Sequence, residues 1–141
     1  MQRKCQWAAF FLFVLASWGC KSVLNVDKEI DVKAGSDSTM EIDPFKKEQT
    51  INVVVSSPDA PVEVCVYLKK NEDAAQRDIE QNKKDSSLIL ARARTKETAP
   101  GTPNLSENIE LSATIPAGEG AVVQVGVRGG KSAKVKVKIT N

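Results

Sequence analysis

Histidine is absent from the 141 residues, and that absence limits the chemistry at once. Ser-His-Asp and Cys-His nucleophiles need an imidazole to take the proton, and His-ligated zinc needs its nitrogen, so all three are excluded. A Ser-Lys dyad or a carboxylate pair remains arithmetically open among the eighteen Asp and Glu residues, but no spacing singles one out. The expectation is a protein that is not an enzyme and holds no cofactor. Asp37, Glu41 and Asp43 offer carboxylate oxygens that a hard cation such as Ca²⁺ would accept around a loop, although not at EF-hand spacing. A solvated polar strand face carries the same pattern and is the simpler reading. Lys134, Lys136 and Lys138 alternate; at a rise of about 3.3 Å per residue they stand roughly 7 Å apart in one row, suited to anionic headgroups or glycans. The plainer account is that they guard an edge strand from pairing with another chain. Of the three cysteines, Cys65 lies in the strand-like run 62–68, which favours a buried, inert thiol.

The elements that would position these groups begin with an address. Arg3 and Lys4 form a basic start, residues 7–16 an apolar core, and Ser17-Trp18-Gly19 leads to Cys20, the three-part grammar of an export signal. A membrane-spanning helix needs about 20 apolar residues, and this run is stopped by Gly19, Cys20 and Lys21. With Gly19 before Cys20, the stretch resembles a bacterial lipoprotein precursor. That resemblance implies that Cys20 receives diacylglycerol, becomes the new N-terminus and is then N-acylated. The product would be anchored to a bacterial membrane through Cys20, facing the periplasm or exterior. Ser17 and Gly19 also satisfy the small-x-small rule of an ordinary signal peptidase, so the same cut without lipid stays open.

Cleavage changes what the composition says. Twenty basic residues less Arg3 and Lys4 leave eighteen, against eighteen acids. A neutral chain gives no support to nucleic-acid binding, which needs a basic surface against phosphates. Five of the seven aromatic residues lie in the leader, leaving Phe45 and Tyr67, too few for stacking platforms. With Cys20 acylated, Cys65 is alone, and no disulfide forms within one mature chain.

From Leu24 onward the period is two. Leu24, Val26, Ile30 and Val32 share a parity, with Lys28 as an interruption that suggests two short strands; Met40 and Ile42 alternate next. Ile51, Val53 and Val55 follow, and then Val62, Val64, Val66 and Leu68, the best-formed candidate for a central strand. Residues 70–87 break the pattern. Good helix formers occur there, but Ile79 is the only large apolar residue among residues 71–82, so a short surface helix near 72–84 is expected to bury almost nothing. Residues 88–94 resume strand character, with Arg92 and Arg94 leaving the inward face open, and residues 98–104 read as a loop. Ile109 to Ile115 alternate, as do Val123, Val125 and Val127; Arg128-Gly-Gly-Lys131 reads as a hairpin turn into Ala133, Val135, Val137 and Ile139.

About eight short strands without helices recurring between them argue an all-β antiparallel β-sandwich. Ile115-Pro-Ala-Gly-Glu-Gly-Ala-Val-Val-Gln-Val-Gly-Val127 and the alternating strand after it, with the earlier Glu48-Gln-Thr-Ile-Asn-Val and Val62-Glu-Val-Cys-Val-Tyr67, resemble the bacterial pre-peptidase C-terminal domain over about residues 37–140. The resemblance implies a jelly roll, and an accessory role beside Ca²⁺ or a secreted enzyme as one alternative. The whole chain is similar to small bacterial lipoproteins of this layout. The domain reading is a signal peptide at 1–19, the lipid attachment and first strand at 20–36, and the sandwich at 37–141. Its expected role is a non-catalytic binding or structural module of the cell envelope, with an envelope protein or glycan as partner.

Overall fold

The structure is a computed structural model that describes residues 23–141; the leader and Cys20 lie outside the described residues. Among the described residues ten strands form: β1 (Asn25–Val32), β2 (Asp37–Ile42), β3 (Gln49–Ser56), β4 (Val62–Leu68), β5 (Ile89–Arg94), β6 (Glu97–Ala99), β7 (Thr102–Pro103), β8 (Ile109–Ile115), β9 (Ala121–Val127) and β10 (Ala133–Thr140). The α-helix of the described residues, α1 (Glu72–Glu80), follows a single 3₁₀ turn after β4. Two four-stranded antiparallel sheets run β1-β10-β3-β8 and β2-β9-β4-β5, and β6 pairs with β7 as a small ribbon. Eight strands are thus the sandwich proper, as the alternation predicts. Consecutive strands mostly change sheets, which is the double Greek key of a jelly roll.

Alternation explains why the two sheets close on each other. Ile51, Val53 and Val55 of β3, Val64 and Val66 of β4, Ile115 of β8, Val123 and Val125 of β9, and Val135, Val137 and Ile139 of β10 all point into one core. β-Branched side chains suit this pleated, half-buried surface because they lose little rotamer freedom there. Lys28 does not split the first strand: β1 is continuous and pairs with β10 from Asn25↔Thr140 to Val32↔Ala133. The strand set ahead of residue 37 in the domain reading is therefore a member of the sheet.

Three expectations change. Arg128-Gly-Gly-Lys131 is not a hairpin turn, because β9 and β10 lie in different sheets; the glycines carry the chain across the sandwich, Gly129 at φ 123°. Residues 98–104 hold the β6–β7 ribbon rather than a plain loop. Strand β10, read as an edge, is interior between β1 and β3, so its lysines are not edge guards. They face Asp31, Glu29 and Asp27 of β1 at Lys134, Lys136 and Lys138 respectively, opposite charges at cross-strand distance.

The helix also buries more than its composition promised. Ala75 and Ile79 are both buried, packed with Cys65 and Tyr67 of β4 and Val122 of β9 as a second, smaller core. Because β4 and β9 are buried along their whole length, one face packs on the other sheet and the second lies under α1 and its flanking segment. The helix ends in a Schellman motif: Asn82 donates its backbone N–H to Ile79 and Lys83 to Asp78, with Asn82 in the left-handed region at φ 52°.

Candidate functional site

Strand register puts a carboxylate among guanidiniums on the outer face of the β2-β9-β4-β5 sheet. Glu63 sits opposite Arg94, and Cys65 opposite Arg92, across the β4–β5 ladder. Since Ala91 and Ala93 pack on the main core, Arg92 and Arg94 must point outward with Glu63, Cys65 and Tyr67. The third guanidinium is Arg128, just past β9, whose backbone N–H is fixed by the carbonyl of Pro61.

Glu63 is only 2% exposed, yet fully partnered. Its Oε1 accepts from Arg92 Nε; its Oε2 accepts from Arg128 Nε at 2.9 Å and lies 3.3 Å from Arg94 Nε. Burial by itself would raise this carboxyl, but the hydrogen bond from Arg92 and the charges of Arg92, Arg128 and Arg94 hold it below the ordinary value. The end of α1 braces the same cluster. Asn82 Oδ1 accepts from Arg92 Nη2 at 3.1 Å and from Arg94 Nη2 at 2.5 Å, and the Lys83 carbonyl accepts from Arg92 Nη1 at 2.9 Å. Beside it runs a groove of about 470 Å³, lined among others by Glu63, Asn82, Arg94, Arg128, Glu80 and Glu97.

Neighbouring positions are polar and tied together. Gln76 Nε2 donates to Tyr67 Oη at 3.5 Å, Tyr67 donates to Gln124 Oε1 at 2.9 Å, and Gln124 Nε2 donates to Asp37 Oδ2 at 3.0 Å. Gly126 lets this chain close, because a β-carbon there would collide with Asp37 Oδ1. Cys65 is buried, and desolvation followed by the Glu63 charge pushes its thiol up to about 11. That makes it a poor nucleophile, as its setting in an apolar run suggests.

The acidic trio is not assembled. Asp37 is engaged by Gln124 at one end of β2; Glu41 is paired with Lys69 at 2.6 Å; Asp43 lies beyond the strand at its other end. Among the described residues, no group of three or more metal-ligating side chains converges. Lys134, Lys136 and Lys138 do form one exposed row on β10, flanked by the acids of β1. Glu63 and its arginines were missed as a group. The signal was present, since Glu63 stands alone in an apolar strand and Arg92 and Arg94 alternate, but their pairing depends on strand order.

No protein-family model and no curated protein sequence matches the chain. Among solved structures it is similar to the Yersinia pseudotuberculosis-derived mitogen (YPM), with a TM-score of 0.53 at 5% identity over 83% of this chain and 85% of that one. The likeness is one of fold. It agrees with the all-β sandwich and carries no site across. Among the described residues, no helix is long and apolar enough to cross a membrane.

Proposed function

We propose that the protein is a lipid-anchored, extracytoplasmic jelly-roll module that binds at the bacterial cell envelope and does not catalyse a reaction. The observation that carries this reading is the short path from Cys20 to the sandwich. Only four residues separate Cys20 from Asn25, where β1 begins, a reach of about 17 Å over the five steps when extended. An acyl group on Cys20 would therefore hold one end of the sandwich against the bilayer. That end carries Leu24, Ile42 and Phe45 around a common cleft, and the Glu63 cluster lies toward the other end of β4. The basic start, apolar core and Gly19-Cys20 of the leader support export and acylation. The lack of histidine and the resemblance to an accessory, non-catalytic domain support binding over turnover.

A Ca²⁺ role is left out of this reading, because Asp37, Glu41 and Asp43 are spread along β2 and beyond it. The mitogenic activity in the name of the Yersinia protein is left out as well, since 5% identity transfers no residue.

Two measurements on one preparation test the proposal. Protein extracted from membranes should exceed the mass of residues 20–141 by its acyl chains, and Cys20→Ser should move it to the soluble fraction. A membrane-extracted chain with an unmodified Cys20 would refute the anchoring.

A further inference from the structure

We infer that the groove beside Glu63 is a binding site for a singly charged oxyanion ester, a phosphodiester, held by Arg94 and Arg128. Three observations lead there. First, the donors are divided. Arg92 spends Nε, Nη1 and Nη2 on Glu63, Lys83 and Asn82, so it is a pillar of the site with nothing left to offer along those edges. Arg94 and Arg128 are about half exposed, at 52% and 46% of their side chains. Each has an Nη1 that donates to no acceptor among the described residues.

Second, those donors are held in place before any ligand arrives. The buried Glu63 carboxylate fixes one edge of both guanidiniums, and Asn82, in its left-handed conformation at the end of α1, fixes Arg94 from the other side. Guanidinium groups ordered in advance lose less freedom on binding an oxyanion than two solvated side chains would. Third, the charge balance selects the ligand. The groove is lined by Arg94 and Arg128 and by Glu63, Glu80 and Glu97, and Arg92, which does not line it, offsets the Glu63 charge from behind. With no net excess, attraction comes from directed hydrogen bonds. A second negative charge on the ligand would meet Glu80 and Glu97 without recompense. A phosphodiester carries one charge and two free oxygens, one for each arginine.

The source of the diester follows from position. Glu63 lies five residues from the Leu68 end of β4, about 17 Å at strand rise, and that end shares its side of the molecule with Leu24. This step rests on the proposed anchoring through Cys20: headgroups beneath such a tether are out of reach of Glu63, so the diester belongs to a soluble molecule or polymer. The site itself stands whether or not Cys20 is acylated.

The test titrates the folded 20–141 chain with glycerophosphoglycerol, followed by backbone amide shifts in ¹⁵N-labelled protein. Saturable shifts are expected at Asn82, Arg94, Glu97 and Arg128. Arg94→Gln, which leaves Arg92 and Arg128 on Glu63, should weaken binding about tenfold by losing a charge-assisted hydrogen bond, and Arg94→Lys should restore part of it. Inorganic phosphate above pH 7.5 should bind more weakly than the diester, and Glu80→Gln with Glu97→Gln should remove that difference. Lys136→Gln, on the other sheet, should change nothing. Absence of saturable shifts, equal binding by folded Arg94→Gln, or binding only to phosphatidylglycerol vesicles that survives Arg94→Gln would each overturn the assignment.

Discussion

Glu63 owes its charge to its neighbours, and stability should report this. Removing the carboxylate takes away the acceptor that the three arginines share, but Arg94 and Arg128 are about half exposed and Arg92 keeps Asn82 and the Lys83 carbonyl, so the cost stays below the roughly 3 to 5 kcal/mol of a fully buried pair. Glu63→Ala should therefore lower the urea midpoint at neutral pH, through the mutual repulsion of three neighbouring guanidiniums. The pH dependence has a definite sign. Because the folded pKa lies below the unfolded one, the contribution is fully present above about pH 4.3, the unfolded value, and is lost as pH falls through the folded pKa. An acid titration of stability should show this loss in the native chain and not in Glu63→Ala. Cys65 offers an independent check. With its thiol pushed up to about 11 and 2% exposed, it should not react with a disulfide reagent at pH 8 until urea unfolds the chain. Gly126→Ala should push the exposed Asp37 carboxylate aside and cost little more than its hydrogen bond from Gln124, about 1 kcal/mol by urea unfolding, and the same substitution in an Asp37→Ala background should cost nothing further.

Helix α1 shows how far an element can depart from what its composition promises. It buries just Ala75 and Ile79, but those two side chains seal the outer face of β4 over Cys65 and Tyr67. Ile79→Ala should cost about 2 to 4 kcal/mol. Tyr67 is the sole tyrosine of the chain, and the described part has no tryptophan, so tyrosine fluorescence should report the loosening directly. Strand positions were legible because alternation survives along β3, β4, β8, β9 and β10. Two apolar residues in a helix give too weak a period to reveal a buried face. The arginine cluster was illegible for another reason: Glu63 and Arg128 are separated by 65 residues, and no local pattern states that β4 lies between β9 and β5. Strand order also decided the lysine row, because β1, which neutralises it, is the strand most remote in sequence from β10.

A jelly roll draws its core from pairings between distant segments, and the whole molecule should fold accordingly. Refolding is expected on the millisecond-to-second scale typical of non-local β topologies, measurable by stopped-flow tyrosine fluorescence. Deletion of residues 133–141 removes an interior strand and parts β1 from β3, so that variant should show no cooperative thermal transition by circular dichroism. The β1–β10 ladder has a mechanical consequence as well. A pull applied to the chain ahead of Val23, while the far end of the sandwich is held, acts along the axis of β1. Ladder hydrogen bonds run perpendicular to the strands, so this pull loads them in shear, with the register from Asn25↔Thr140 to Val32↔Ala133 sharing the force. The strand cannot be unzipped one pair at a time from that direction, so the sandwich resists tension applied between the start of β1 and its opposite end better than a peeling geometry would.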